Sequence, residues 1–229
     1  MVFILILSAV TALFCIFTVK LRRSGKSFEG MVCKFFSSFG FMSIAFIGFS
    51  HNMRNPLYFT LVVFGLLFGL GGDVFLGIKE IAPKYKNRLI IIGTLCFLIC
   101  HIFYLSSFLA ALPTYSIIPV FVALGITILG AVLIKVVKMQ LKTPMYIGVV
   151  VYLFILTLCA TVCGHVYITT WSFSFFLALL ASMLLLVSDV ILSFVYFTPM
   201  KRKNKLVTAE LITYYSGQIL MAVTVYTMI

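Results

Sequence analysis

The apolar segment at residues 57–78 contains the sequence Leu66-Leu67-Phe68-Gly69-Leu70-Gly71-Gly72-Asp73-Val74-Phe75-Leu76, in which one carboxylate interrupts an apolar, glycine-rich run. The segment is long enough to cross a bilayer, because a membrane-spanning helix needs about 20 apolar residues. Small residues and the carboxylate share one helix face at the spacing i, i+4, i+7, i+8: Gly65, Gly69, Gly72 and Asp73. Stripes of small residues let membrane helices pack closely. The segment therefore predicts a membrane helix that packs through its glycine face and carries a carboxylate there.

The composition of the whole chain is also typical of a membrane protein. Of its 229 residues, 63% are hydrophobic and 10% are charged, and the mean hydropathy is +1.23. A soluble domain has about 45–50% apolar and about 25% charged residues, so this chain has too few charges to cover a water-facing surface. A soluble globular protein is therefore excluded.

Eight apolar runs are bounded by charges or by Pro and Asn clusters. They fall at residues 2–19, 33–50, 57–78, 89–112, 115–134, 145–163, 171–197 and 207–228, and the connections include 51–56, 113–114 and 164–170. Helix is the natural assignment because lipid leaves no backbone group free to bond water. We predict an all-α integral membrane protein with eight transmembrane helices, forming a single domain over residues 1–229.

The basic residues indicate the orientation of these helices. Sixteen of the 17 Lys and Arg follow spans 1, 3, 5 and 7, and only Arg54 lies on the other side. They are Lys20, Arg22, Arg23, Lys26 and Lys34; Lys79, Lys84, Lys86 and Arg88; Lys135, Lys138 and Lys142; Lys201, Arg202, Lys203 and Lys205. Short basic loops stay cytoplasmic, so both termini are expected outside. The net charge of +12 is then a topology signal, and no nucleic-acid partner is predicted.

The N-terminal run starts at Met1 without a basic segment before it, and its charges follow it. A secretory signal has the opposite arrangement. We expect a retained first span.

A second carboxylate lies within a span, and its setting resembles that of the first. Ser188-Asp189-Val190-Ile191-Leu192 repeats the small-Asp-Val-apolar-Leu pattern of residues 72–76, and each motif falls on the third helix of a four-helix half. His101 and Gln218 follow the two aspartates by 28 and 29 residues. These correspondences suggest a parallel 4+4 repeat.

Both aspartates are expected in the cytoplasmic half of the membrane. Asp73 lies six residues before Lys79 and Asp189 eight before Phe197, which places them about 9 Å and 12 Å from the inner helix ends. A charged side chain within a span is a functional hypothesis by default. The structural alternative is that the two helices only pack together, their aspartates bonding Ser, Tyr or Lys.

Further polar residues are expected near these aspartates. The candidates for supporting or substrate-binding roles are His101, Ser188, Tyr214, Tyr215, Gln218 and Lys34. For His101 a structural role is an equal alternative, and Glu210 is expected to be a solvated acid near the start of its helix.

Neither the cysteines nor the histidines indicate a metal centre. Four of the six cysteines form two pairs at i, i+4 within spans, which is neither a zinc pattern nor a disulfide framework. His51 and His165 are expected at the outer helix ends, far from His101. No metal and no cofactor is predicted.

The quoted segments resemble the YhhN family of eight-span membrane proteins, whose characterised members are lysoplasmalogenases. The resemblance is carried by residues 66–76, Cys100-His101-Ile102-Phe103-Tyr104, residues 188–192 and Tyr214-Tyr215-Ser216-Gly217-Gln218. It implies hydrolysis of the sn-1 vinyl ether bond of a lysoplasmalogen, a lysophospholipid substrate, to a fatty aldehyde and a glycerophospho-base. The family's two essential aspartates map to Asp73 and Asp189. Lys34 also resembles a family lysine, although Phe35 replaces the proline that often follows it.

The chemistry of this reaction explains why two carboxyl groups are useful. Vinyl ether hydrolysis needs a proton delivered to carbon, which gives an oxocarbenium ion that water attacks. An ordinary Asp carboxyl, with a pKa of about 3.9, is rarely protonated at neutral pH, but two carboxyl groups held side by side can share one proton. We expect one Asp to donate this proton and the other to stabilise the cation and activate water.

The remaining expectations concern binding and location. Lys34 or loop cations are expected to hold the phosphate, and Tyr214 and Tyr215 to face a cationic head group. Alternatives are a hydrolase of another lysolipid, a small proton-coupled membrane transporter, or a structural or lipid-binding protein. Membrane lipids are expected partners. The sequence favours a bacterial cytoplasmic membrane over an endoplasmic-reticulum membrane, with the active site toward the cytoplasmic leaflet.

Overall fold

The computed structural model describes residues 2–139, 141–198 and 203–228, which form eight α-helices and no strand. The helices are α1 (Val2–Arg23), α2 (Ser27–Asn52), α3 (Pro56–Ile81), α4 (Lys86–Ala110), α5 (Ile118–Val136), α6 (Thr143–Thr170), α7 (Phe173–Phe197) and α8 (Lys203–Thr227). All eight are long and apolar enough to cross a membrane. The predicted all-α membrane fold with eight transmembrane helices is confirmed.

Local sequence explains several helix ends. Asn55 caps α3, because its side-chain oxygen accepts a hydrogen bond from the Tyr58 amide at 3.0 Å, and Pro56 occupies the first turn, where a missing N–H is no loss. Gly25 has a φ of 76° in the turn between α1 and α2, a conformation that glycine adopts without steric penalty. Trp171 ends α6 in a left-handed conformation with a φ of 48°.

Several helices extend beyond the apolar runs. The predicted connection over residues 164–170 is wrong, because α6 continues to Thr170 and only Trp171 and Ser172 separate it from α7. The Thr169 and Thr170 hydroxyls donate to backbone carbonyls one turn back, at 2.9 and 2.8 Å. Polar residues at a helix end therefore continue the helix while shielding its carbonyls. Helix α2 also extends beyond its apolar run and starts at Ser27.

This extension places charged residues inside the end of the bundle. Lys34, Lys79 and Glu210, which the sequence placed in or beside solvated segments, are 6%, 4% and 5% exposed. Lys79 donates a hydrogen bond to the Tyr196 hydroxyl, and its ammonium lies 3.8 Å from the centre of that ring. The expectation of a solvated Glu210 is therefore wrong.

Two of the cations expected on the inner side, Lys201 and Arg202, lie outside the described residues. Of those described, Arg22 at the end of α1 pairs with Glu80 at the end of α3, with 3.3 Å between Nη2 and Oε1. The ends of α1 and α3 thus lie at the same end of the bundle.

The helices contact one another in a regular order. In each half of the chain, the first helix packs on the second, the second on the third and the third on the fourth. Between the halves, α2 contacts α8 and α4 contacts α6. In addition α8 contacts α1 and α3, whereas α5 contacts only α6 among the described helices. A duplicated four-helix unit would explain why the helices of the two halves contact one another in the same order. The repeat and the outward orientation of the termini stay predictions.

Glycines allow the closest helix contacts. A Cβ atom added to Gly72 of α3 would lie 2.7 Å from the Phe97 ring of α4. One added to Gly217 of α8 would lie 2.8 Å from Leu185 Cγ and 3.1 Å from the Ala181 carbonyl oxygen of α7. Because backbone and buried side chains occupy this space, any larger residue pushes α8 away from α7.

A Gly217→Ala variant should be less stable than the unchanged protein by about 1–3 kcal/mol, as expected for overpacking of a close contact. Gly148→Ala on α6 is the matched control, because an added Cβ there meets nothing within 4 Å. The control should be neutral or slightly stabilising, since alanine favours a helix. Unfolding of the purified proteins in detergent measures both, and equal stability of the two variants would contradict the packing argument.

Candidate active site

The carboxylate of Asp73 is held by three side chains from two neighbouring helices. Lys34 Nζ lies 2.8 Å from its Oδ1. The Ser38 hydroxyl and the Tyr214 hydroxyl donate to its Oδ2 at 2.7 and 2.9 Å. Lys34 and Ser38 are four residues apart and therefore share one face of α2, while Tyr214 comes from α8. These contacts fix the carboxylate between α2, α3 and α8.

An ammonium and two hydroxyl donors surround the Asp73 carboxylate. Both Lys34 and Asp73 are buried, and the ammonium supplies the compensating charge that a buried carboxylate needs. The two hydroxyls donate the hydrogen bonds that a buried carboxylate oxygen needs. Pairing with Asp73 is thus the contact that the structure gives Lys34, and its predicted contact with phosphate stays a prediction.

The carboxyl group of Asp189 has different neighbours. The Tyr152 hydroxyl of α6 donates to its Oδ2 at 2.6 Å, and His101 Nε2 of α4 lies 3.8 Å from the same oxygen. No Lys or Arg of the described chain forms an ion pair with it. Asp189 is therefore buried among neutral groups and a histidine.

The histidine has a defined tautomer in this arrangement. His101 Nδ1 lies 2.8 Å from the Phe97 carbonyl oxygen, and because a carbonyl oxygen only accepts, Nδ1 carries the hydrogen. In a neutral ring Nε2 is then a bare acceptor, and it has no hydrogen-bond partner in the described part of the protein. A bare nitrogen and a carboxylate oxygen repel each other unless a proton is present on one of them. A proton on either Asp189 or His101 removes this repulsion.

A hydrogen-bond network on α4 and α8 lies between the two aspartates. The Tyr104 hydroxyl donates to Gln218 Oε1 at 2.6 Å, and the Tyr104 ring lies 6.1 Å from that of His101. Gln218 is one helical turn beyond Tyr214, which bonds Asp73. Gln218 is fully buried, and its side chain lies beside the Tyr214 hydroxyl and the Cys100 thiol.

The described contacts of the two carboxyl groups are with different side chains, and a proton shared directly between them stays a prediction. Asp73 bonds a lysine, a serine and a tyrosine, which are the partners expected if the aspartates only join packed helices. Asp189 has no Lys or Arg beside it among the described residues.

The other predicted residues lie at varying distances from this chemistry. The Ser188 hydroxyl donates to the Glu210 carbonyl at 3.2 Å and so joins α7 to α8. Tyr215 is buried, and its ring centre lies 5.4 Å from that of Tyr214. His51 lies in the last turn of α2 and contacts the Tyr226 ring. No group of three or more His, Cys, Asp or Glu suited to a metal occurs in the described part of the chain.

Sequence reasoning missed three residues of the site. Ser38 was detectable, because it lies one turn after Lys34 on the same helix face. Tyr104 was also detectable, since it lies three residues after His101 on α4. Tyr152 carried no signal, because the residues one turn before and after it are apolar or glycine. Only the packing of α6 against α4 and α7 brings Tyr152 to Asp189.

Comparison with known proteins gives one result. A sequence model of the YhhN family matches residues 30–225, a range that includes α3 to α7 complete and every side chain of the site described above. No curated protein matches the chain. No solved structure matches it either.

Proposed function

Because this chain belongs to the YhhN family and its eight apolar helices fit a membrane hydrolase, we propose that it is a lysoplasmalogenase. The reaction is hydrolysis of the sn-1 vinyl ether bond of a lysoplasmalogen to a fatty aldehyde and glycerophosphoethanolamine or glycerophosphocholine. The observation that supports it most is the pair of buried carboxyl groups in unlike surroundings, one paired with a lysine and one beside a tyrosine and a histidine.

Asp189 is the general acid in this proposal. A carboxyl group without a cation favours its neutral, protonated form when it is buried. Its proton passes to the β-carbon of the vinyl ether, which leaves an oxocarbenium ion at the carbon bonded to oxygen. Tyr152 stabilises the carboxylate that remains, because its hydroxyl donates to Oδ2. His101 lies beside this carboxyl group, with its Nε2 3.8 Å from Oδ2.

Asp73 is the fixed anion. Lys34 pairs with it, and the Ser38 and Tyr214 hydroxyls hold its orientation. A preorganised negative charge stabilises the oxocarbenium ion as it forms. Asp73 also accepts a proton from the water that attacks this cation. The resulting hemiacetal breaks its bond to the glycerol oxygen, giving aldehyde and alcohol with one water consumed.

The protein is an integral multi-pass membrane protein. The distribution of basic residues supports a topology in which both termini are outside and the basic loops are cytoplasmic. Under this topology the site opens toward the cytoplasmic leaflet. We place the protein in a bacterial cytoplasmic membrane.

A substrate panel tests the proposal. Purified protein is given three lysophospholipids with the same head group and chain length, carrying an sn-1 vinyl ether, alkyl ether or acyl ester. Aldehyde is expected from the vinyl ether alone, because only this bond gives an oxocarbenium ion on protonation at carbon. Mass spectrometry of the products measures the outcome.

The other outcomes identify the alternatives. Release of fatty acid from the ester without aldehyde would make the protein a hydrolase of another lysolipid. Proton uptake into liposomes without any product would favour a transporter. Either result overturns the proposed reaction.

A further inference from the structure

An open groove runs between α1 and α8 on the surface of the bundle. Its volume is about 460 Å³, which lies within the range of about 300–1,000 Å³ typical of small-molecule sites. Its walls are apolar apart from a few polar groups. The residues used below are Ile16 and Lys20 on α1 and Leu211, Ile212, Tyr215 and Ser216 on α8.

The groove is amphipathic along its length. On α1 it extends from Ala12 to Lys20, eight residues or about 12 Å of helix. Lys20 is the cation at one end, in the last part of α1, where the basic residues of the chain gather. Ile16 and Ile212 are both more than half exposed and border the apolar part. An apolar channel with one cationic end suits an amphiphile that has a hydrocarbon chain and a phosphate.

One wall of the groove leads to the candidate active site. Tyr215 is 2% exposed, and its hydroxyl has no hydrogen-bond partner within the described structure. The Thr18 hydroxyl lies near it, but it donates to the Phe14 carbonyl. The ring of Tyr215 lies 5.4 Å from that of Tyr214, whose hydroxyl donates to Asp73. A single tyrosine side chain therefore lies between the groove and the Asp73 cluster.

The helix arrangement also distinguishes this groove from its counterpart. Under the predicted 4+4 repeat, α5 corresponds to α1 and α4 corresponds to α8. The counterpart of the α1–α8 pair is therefore the α5–α4 pair. Among the described helices α1 contacts α8, whereas α5 does not contact α4. The groove is therefore particular to the side on which Tyr214 and Tyr215 lie.

We propose that this groove binds the single hydrocarbon chain of the lysophospholipid substrate, which enters sideways from the membrane with its phosphate at Lys20. The proposal rests on the proposed function for the identity of the substrate. Tyr215 forms the wall between the bound lipid and Tyr214 of the Asp73 cluster. The groove provides one channel between two helices, which matches the single chain of a lysophospholipid.

A photoreactive probe tests this site without requiring turnover. The probe is an alkyl-ether lysophospholipid with a diazirine in its chain, which has no vinyl ether to cleave. Its crosslinks are mapped on the unmodified protein by mass spectrometry. Labelling is expected within residues 12–20 and 211–219, with displacement by unlabelled lysophospholipid and not by a two-chain phospholipid. Labelling spread over the exposed face of α5, or equal displacement by the two-chain lipid, would overturn the proposal.

A groove-filling variant gives a second, kinetic test. Ser216→Phe should lower kcat/KM for lysoplasmalogen about tenfold through a higher KM, because it removes binding shared by ground and transition states. Ser106→Phe is the matched control, since Ser106 lies on α4 and its hydroxyl only donates to the Ile102 carbonyl of its own helix. An unchanged KM in Ser216→Phe would also overturn the proposal.

The two tests separate this inference from the proposed function. Specific labelling of the groove in a protein that releases no aldehyde would support the lipid site and overturn the reaction. Aldehyde release without labelling of the groove would support the reaction and overturn the lipid site.

Discussion

An Asp189→Asn variant is expected to release aldehyde from lysoplasmalogen about 10²- to 10⁴-fold more slowly than the unchanged protein, the usual contribution of a general acid. The amide is similar in shape to the carboxyl group, and its oxygen still accepts the Tyr152 hydroxyl hydrogen bond. It has no acidic proton to give to carbon. The loss should therefore appear in kcat while the variant stays folded. Single-turnover kinetics with product detection by mass spectrometry measures it.

The matched control for this variant is Glu29→Gln, the same change of acid to amide at an exposed position in the first turn of α2. Its turnover should equal that of the unchanged protein. If Asp189→Asn also retained full turnover, Asp189 would not be the acid. A thermal unfolding curve for each variant separates lost chemistry from lost folding.

A Lys34→Met variant is expected to be less stable by about 3–5 kcal/mol, the usual effect of leaving one member of a buried ion pair without its partner. Methionine keeps much of the length of the side chain but removes the ammonium that lies 2.8 Å from Asp73. The Ser38 and Tyr214 hydroxyls alone then compensate a buried carboxylate. Aldehyde release should also fall, because Asp73 is no longer a fixed anion. Unfolding in detergent gives the first quantity.

The double variant Lys34→Met with Asp73→Asn tests the cause of this loss. Removing both charges should recover most of the stability, because neither group then remains buried and unpaired. Activity should not recover, because the anion is missing. Lys26→Met, at an exposed position before α2, controls for the change of lysine to methionine. Equal instability of the double and single variants would show that the pair does not couple as described.

The membrane fold follows from features that are local in the sequence. The length of each apolar run and the cap at Asn55 and Pro56 act within one helix and its lipid surroundings. Helix ends were less predictable, as residues 164–170 illustrate. Hydropathy reports where lipid contact stops, whereas the helix stops where its backbone hydrogen bonds stop.

The candidate site was predictable to the same extent. The two intramembrane aspartates are visible because a charge within an apolar run is rare, and Ser38 and Tyr104 lie one turn from residues already singled out. The burial of Glu210 was not visible, since it depends on how far α8 extends into the bundle. Tyr152 was not visible either, because its neighbours along α6 give no sign of a polar partner.

The sequence alone therefore determined that eight helices cross a membrane and that two of them carry a carboxyl group. The tertiary structure decided how these two groups differ. Packing of α2 against α3 brings Lys34 to Asp73, while packing of α4 and α6 against the rest of the bundle surrounds Asp189 with His101 and Tyr152. Whether a buried carboxyl group has a cation beside it depends on residues of other helices. Hydropathy and spacing within one helix do not specify those residues.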